Sequence, residues 1–247
     1  MNTFNKNNID IIAIIPSAGI GRRFSEKIPK QYLKICGKTI QEHSIEIILK
    51  QKYIKQLIVV INKNDNLFFK SKFYNHPKIK TIIGSSTRAK SVMAALNYIR
   101  NTQWILIHDA VRPCLCQNDI DNLLKITSYT KIGGILATPI NNTIKYSKFN
   151  KIINYTVNRN NLWNSLTPQL FKFKLLKKCL KLALSQHIDI TDESYVLEYF
   201  GYNPLLINGS SDNIKITNKE DVNIADFFLS KKLKENNHKN RTWIRCT

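Results

Sequence analysis

Short, continuous runs of apolar and β-branched residues, each followed by a stretch of helical spacing, constrain this chain more than any other feature. Ile11–Ile15 is apolar at every position, so it reads as a strand buried on both faces and not one half-exposed to water. Leu57–Ile61, Lys80–Ile83, Trp104–Ile107 and Gly134–Thr138 repeat the signal. Between these runs lie three helical patterns. Thr39 to about Gln51 puts Ile40, Ile47 and Ile48 on one face; Arg88–Arg100 turns Val92, Ala95, Leu96 and Ile99 inward; Asp119–Ile126 is the third. Thr39 and Glu42 have capping-box spacing, which marks the start of the first helix. Doubly buried strands alternating with amphipathic helices specify an α/β fold, with a mainly parallel sheet and helices on both faces. Such sheets bind ligands at the carboxyl ends of their strands, near a topological switch point. The loops after the first, third and fourth strands are therefore expected to carry the function.

From Pro139 to Asn160 the pattern changes. Thr143–Tyr146 and Ile152–Val157 are β-prone stretches around the polar turn SKFNK, which predicts a hairpin leaving the main sheet. A lone hairpin is marginal in water, so this arm is expected to pack on something such as a second subunit. The chain then returns through TPQLF into a helix near Phe173–Leu184. TDESYVLEYFG predicts another helix, with Thr191 as cap and Gly201 near its end. Leu205–Ile207 and Asn213–Ile216 predict late strands, and Asp221–Leu229 a last helix. Residues 1–235 are expected to form one domain, and 236–247 a frayed basic tail.

At 247 residues and 43% hydrophobic content the chain can bury a full core, which excludes a disordered tail or a disulfide-stapled miniprotein. Basic residues number 38 and acidic residues 17, a net charge of +21. A charge of that size suggests a polyanionic partner. Lys, Asn and Ile all have A/T-rich codons, however, and the lysines are scattered without a block of five or six. The charge therefore reads as compositional bias plus a local anion site, with no nucleic-acid partner. Five cysteines form no C-x-x-C pair, and Cys114 and Cys116 have neither a second pair nor a nearby His to complete a zinc set. They read as reduced thiols of a cytosolic protein. Ile11–Ile15 is too short for a signal-peptide core, and no run approaches the ~20 residues of a membrane span. A soluble, cytoplasmic protein without a membrane partner is expected.

Three loops could carry chemistry. The first reads Pro16-Ser17-Ala18-Gly19-Ile20-Gly21-Arg22-Arg23, then Pro29-Lys30-Gln31. Glycines after a buried strand can bring backbone N–H groups close to an anion, and the nearby bases could surround a polyphosphate. The loop is neither a Walker A sequence nor a full dinucleotide fingerprint, and a plain turn with solvated bases fits the same spacing. The second loop is His108-Asp109-Ala110-Val111-Arg112-Pro113. A carboxylate at a strand's carboxyl end, facing a phosphate loop, could hold Mg²⁺, or it could cap a turn. His108 reads as a packed neighbour. In the third, Gly84-Ser85-Ser86-Thr87-Arg88 and then Ser91, the hydroxyls could cap the helix or bind a ligand. No Ser–His–Asp or Cys–His set and no glycosidase-like carboxylate pair stands out.

Taken together, PSAGIGRRF, PKQYL, HDAVRPCL, TVNRNNLWNSLTPQLF, ITDES and DNIKIT resemble, in the same order, the 2-C-methyl-D-erythritol 4-phosphate cytidylyltransferase family of the non-mevalonate isoprenoid pathway. The resemblance spans about Ile11 to Leu229. It implies a Rossmann-like nucleotidyltransferase fold, a homodimer with an exchanged β-arm (here about 139–160), CTP and methylerythritol phosphate as substrates, and Mg²⁺ as cofactor. It implies that Pro16, Ser17, Ala18, Gly19 and Gly21 wrap the CTP triphosphate and the edge of the base. Arg23 and Lys30 would stabilise the transition state, with Arg22 in the same loop. Ser86 and Ser91 stand where the family contacts cytosine and ribose, with Gly84, Ser85 and Arg88 beside them in the CTP set. Asp109 would lie at the metal and Ala110 at the ribose. Thr143 and Arg159 on the arm would reach across the dimer to methylerythritol phosphate, Thr167 belongs to that acceptor site, and Lys215 would hold the attacking phosphate.

Three positions depart from the family's pattern. Ser17 replaces the usual Ala, Ser86 falls where an acidic residue is common, and Asn158 stands where Asp usually precedes Arg159. Ribitol-5-phosphate cytidylyltransferase, whose first loop usually reads A-G-G, is the nearest rival. An RNA-binding protein is a rival from another class, and it leaves the first two loops unexplained.

Overall fold

The computed structural model describes residues 9–19 and 28–243, with residues 236–243 as backbone. Strand β1 (Ile11–Pro16) sits in the interior of the main sheet because nearly every side chain along it is apolar and can be buried. Its residues alternate between two cores. Ile11, Ala13 and Ile15 join one, against α1 (Ile40–Leu49) and α3 (Gln117–Lys125). Ile12 and Ile14 join the other, against α2 (Arg88–Tyr98), α4 (Phe173–Ser185) and α5 (Glu193–Tyr199).

The remaining strands of this sheet are β4 (Ile54–Ile61), β5 (Ile79–Ile83), β6 (Trp104–Ile107), β7 (Gly133–Pro139), β10 (Trp163–Lys172) and β11 (Leu205–Asn208). Two small hairpins lie outside it: β2 (Lys34–Ile35) with β3 (Lys38–Thr39), and β8 (Ile144–Tyr146) with β9 (Tyr155–Val157). The order across the main sheet is β11-β7-β10-β6-β1-β4-β5. β1 pairs in parallel with β4 and β6, β4 with β5, and β7 with β11. Only β10 runs antiparallel, against both β6 and β7. The chain builds outward from β1 to β5, then α2 carries it back to β6 on the other side of β1. That reversal is the switch point, and it opens a crevice at the carboxyl ends of β1, β4 and β6.

All but one of the expected strands, the first three helices and the arm hairpin are present, with bounds shifted by a few residues. Thr39 caps α1 in a complete capping box with Glu42. Four details differ from the sequence reading. TPQLF belongs to a ten-residue strand, β10, that the sequence did not announce. Pro168 cannot donate to a ladder, and the register shifts between Ser165 and Gln169, so the strand lacks a clean alternation. The cap of α5 is Asp192, not Thr191, because the Asp192 carboxylate accepts from the Tyr195 N–H. Asn213–Ile216 is not a strand. Its bonds run singly to a loop and form no ladder: the Ile216 N–H donates to the Val111 carbonyl and Arg112 donates to the Asn213 carbonyl. The last helix, expected over Asp221–Leu229, is α6 (Lys219–Trp243), whose backbone continues well into the expected tail.

Two substitutions calibrate this frame. Thr39→Ala removes the capping acceptor and is expected to lower unfolding free energy by about 1 kcal/mol. Trp104→Ala empties a fully buried site on β6 and is expected to cost about 3–5 kcal/mol. Urea titration of both variants beside the parent protein reads the difference; equal midpoints would contradict the packing described.

Candidate active site

The crevice at the strand ends is a cavity of about 620 Å³. The first loop contributes Pro16, Ser17, Ala18 and Gly19, followed by Lys30 and Gln31. The loop after β5 contributes Ser85, Ser86 and Thr87, with Arg88 and Ser91 from the first turns of α2. Asp109 and Ala110 enter from the end of β6, and Lys215 from the extended segment after β11. Distant stretches of sequence thus meet because parallel strands deliver all their following loops to one edge of the sheet.

Asp109 is the electrostatic centre. Its side chain is only 8% exposed. Oδ1 accepts from Arg88 Nε at 2.9 Å, while Oδ2 lies 3.0 Å from Lys215 Nζ and 3.6 Å from Arg112 Nε. Burial alone would push this carboxyl up. Arg88, then Lys215 and Arg112, more than reverse that and hold it well below the usual carboxylate range. Arg88 is shared: its Nη1 donates to Glu193 Oε1 at 2.7 Å. Glu193 is fully buried at the start of α5, and burial pushes its carboxyl up against the pull of Arg88. Three cations against two carboxylates leave the cluster with one net positive charge. Burying an unpaired charge would cost several kcal/mol, so this arrangement holds only as a set.

His108 supports the cluster from behind. It is completely buried, with Nε2 against the Arg112 carbonyl at 3.1 Å and Nδ1 against Thr167 Oγ1 at 3.0 Å. The Thr167 oxygen also accepts the Asp109 N–H. Burial pushes the imidazole down to about 4, so His108 is neutral at pH 7.

The third loop is shaped by Ser91. Its Oγ accepts the Ser85 N–H and donates to the Thr87 carbonyl. Gly84 backs the cavity without lining it. A Cβ there would lie 2.5 Å from that of Ala18, so glycine is what lets the two loops touch. Lys30 Nζ donates to the Ile216 carbonyl at 2.8 Å, which ties the first loop's far end to the segment carrying Lys215.

Most of the anticipated site is therefore gathered in one cavity: Pro16, Ser17, Ala18, Gly19, Lys30, Ser85, Ser86, Arg88, Ser91, Asp109, Ala110 and Lys215. Gly21, Arg22 and Arg23 lie outside the described residues. Thr143 and Arg159 are exposed on the arm and do not line this cavity, and Thr167 is buried beneath Asp109. Gln31, Asn62, Arg112 and Glu193 were given no role by sequence reasoning, although Gln31, Arg112 and Glu193 sit inside the motifs PKQYL, HDAVRPCL and ITDES. Among the described residues no group of three His, Cys, Asp or Glu side chains could hold a metal unaided. Among the described residues, Asp109 is the one carboxylate lining the cavity.

Residues 11–231 match the family model of 2-C-methyl-D-erythritol 4-phosphate cytidylyltransferase. Proteins of that name from Blochmanniella pennsylvanica and Wigglesworthia glossinidia brevipalpis are each 48% identical to this chain. The alignments cover 91% of the chain and 96% and 97% of the respective relatives. The crystal structure of the Francisella tularensis protein of the same name superposes with a TM-score of 0.77 at 36% identity, covering 89% of this chain and 99% of that one.

The neutral, buried His108 gives the site a pH signature. The unfolded chain takes up a proton near pH 6.5 that the folded chain refuses until about pH 4, so stability is full above 6.5 and falls as the pH drops through that window. The loss reaches about 3 kcal/mol at pH 4. Asp109 contributes separately, below the unfolded carboxylate range near 4. Unfolding free energies measured from pH 7 to 4 should show this slope, and His108→Gln should flatten it. An unchanged slope in that variant would place the titration elsewhere.

Proposed function

The chain belongs to the 2-C-methyl-D-erythritol 4-phosphate cytidylyltransferase family and transfers a cytidylyl group from CTP to that polyol phosphate; we propose that the cations around Asp109, joined by Lys30, bring the two phosphates together. The reading rests above all on Lys215 and Arg88 converging on Asp109 in one cavity, with Arg112 buried behind it. The relatives' identity does not favour ribitol phosphate as acceptor.

The acceptor phosphate is already anionic at pH 7, so the reaction needs no strong general base. One of its oxygens forms a bond to the α-phosphorus of CTP while the bond from that phosphorus to the bridging oxygen breaks. Pyrophosphate leaves with the electron pair. Two polyanions must approach each other, and fixed cations offset their repulsion without reorganising at the moment of reaction. Lys215, held 3.0 Å from Asp109, is poised to shift its charge to the incoming phosphate. Lys30 stands on the other side, anchored at the Ile216 carbonyl. Arg23 would add its charge from the first loop. Ser85, Ser86 and Ser91 supply the polar wall for the nucleoside, and Ala110 the ribose contact.

A single ionised carboxylate facing phosphates suits Mg²⁺, which is commonly held by one or two carboxylates plus substrate oxygens. Asp109 would hold it with the phosphates of CTP, and the ion would neutralise charge on the α-phosphate. The arm supports a homodimer. Phe149, Ile152 and Ile153 are exposed around the stacked rings of Tyr146 and Tyr155, an apolar surface that a second copy would cover. Thr143 and Arg159 would then meet the acceptor in the partner's cavity. Among the described residues no helix is long and apolar enough to cross a membrane, and the four described cysteines are free thiols, which suits the reducing cytoplasm.

Pyrophosphate release should require CTP, methylerythritol phosphate and a divalent cation together, and ribitol phosphate should be a poor acceptor; preferential use of ribitol phosphate would overturn the acceptor assignment. Lys30→Ala, Lys215→Ala and Arg23→Ala should each lower kcat by about 10²–10³; the urea midpoint should change little in Lys30→Ala and Arg23→Ala and fall in Lys215→Ala, which takes a partner from buried Asp109. Wild-type turnover in any one would remove that residue from the mechanism. Arg159→Ala and Lys30→Ala chains, each nearly inactive alone, should recover activity when mixed, because an exchanged arm leaves one intact site per mixed dimer. Failure to recover, with mixed dimers demonstrated by mass, would argue against exchange.

A further inference from the structure

Three consecutive carbonyls of the first loop are pinned by two side-chain amides. Gln31 Nε2 donates to the Ser17 carbonyl and to the Gly19 carbonyl, both at 3.0 Å. Asn62 Nδ2 donates to the Ala18 carbonyl at 3.2 Å. Gln31 is 4% exposed, and its backbone belongs to a short 3-10 turn over Lys30–Tyr32. That turn is itself fixed, because the Tyr32 hydroxyl donates to Asp65 Oδ2 at 2.5 Å. The pinning therefore comes from a rigid support.

A planar trans peptide points its N–H opposite to its C=O. A Ser17 carbonyl drawn to Gln31 therefore sends the Ala18 N–H away from Gln31, and an Ala18 carbonyl drawn to Asn62 sends the Gly19 N–H away from Asn62. Neither N–H donates to another group among the described residues, although Ala18 is only 8% exposed. A backbone donor as buried as that of Ala18 almost always has a partner, while Gly19 is exposed and its N–H is open to a ligand. A Cβ on Gly19 would meet no described atom within 4 Å, so packing within the described residues does not demand glycine there. Successive free N–H groups on a glycine loop form an anion-binding concavity.

We infer that Gln31 and Asn62 are positioning residues that hold the Ala18 and Gly19 N–H groups as donors to the triphosphate of the nucleotide. They act through the loop and need not touch the substrate. The inference rests on the nucleotide reading above and adds the device that orients its phosphate loop. Lys30 supplies charge; Gln31, its neighbour in sequence, supplies geometry. Lacking these amides, the three carbonyls would be free to turn toward the phosphates, replacing donors with repelling oxygens.

The test compares Gln31→Met and Asn62→Leu, which keep side-chain bulk and remove the donors, with the parent protein. Affinities are measured for CTP, cytidine and inorganic tripolyphosphate, alongside KM and kcat for both substrates. Both variants should lose about tenfold to a hundredfold in affinity for CTP and for tripolyphosphate, the effect of one or two lost bonds to a charged group. Cytidine affinity and the KM for methylerythritol phosphate should stay within about twofold. An equal loss for cytidine and CTP would mean that the side chains only shape the nucleoside site, and it would overturn the inference. Unaltered tripolyphosphate affinity in a folded Asn62→Leu protein would overturn it as well, so the result does not hang on whether Gln31→Met folds. A parent protein that binds tripolyphosphate in a Gln31-dependent manner but ignores CTP would support the loop assignment and remove the nucleotide reading beneath it.

Discussion

One buried carboxylate organises the functional half of this protein. Asp109 sits at the end of β6 with three cations on it, and each comes from a different part of the chain: α2, its own loop and the segment after β11. The pairing is strong only because the site is largely dry; the same charges on the surface would be worth roughly 0–1 kcal/mol. The arrangement also fixes what can enter. A cluster with one net positive charge beside Lys30 favours an anion, and a cavity of about 620 Å³ has room for a nucleotide.

The cluster ties stability to function. Glu193 and Asp109 share Arg88, so α5 and α2 are held to the active edge of the sheet by charges that substrate would meet. Neutral His108 and Thr167 then fix the backbone beneath Asp109 through hydrogen bonds that leave no room for reorientation. Electrostatic catalysis of the proposed kind depends on such rigidity, because a cation that must move into place gives back much of what it gains.

The arm follows a different rule. It leaves the sheet at β7, returns at β10, and gathers Tyr146, Phe149, Ile152, Ile153 and Tyr155 as exposed side chains within ten residues. In the proposed homodimer a second copy would bury that surface, and Arg159, which here donates to the Asn141 carbonyl, would turn to the acceptor phosphate.

Much of this was legible in the sequence. Continuous apolar runs read as interior strands, so β1, β4, β6 and β7 and the helices between them followed from the pattern along the chain, as did the short edge strand β5 and the capped start of α1. The motif order pointed to Ser17, Lys30, Asp109 and Lys215 as one site before any geometry existed. Tertiary structure decided what depends on neighbours distant in sequence. β10 became a strand because β6 and β7 offered it edges, despite Pro168 and a shifted register. Asn213–Ile216 did not, because its partners Val111 and Arg112 belong to a loop and offer no ladder. The partnership of Arg88 with Glu193 across 105 positions, and the grip of Asn62 on the first loop, carry no local pattern at all. Local sequence encodes which residues must leave water; only the folded chain fixes which buried charge or carbonyl each donor will find.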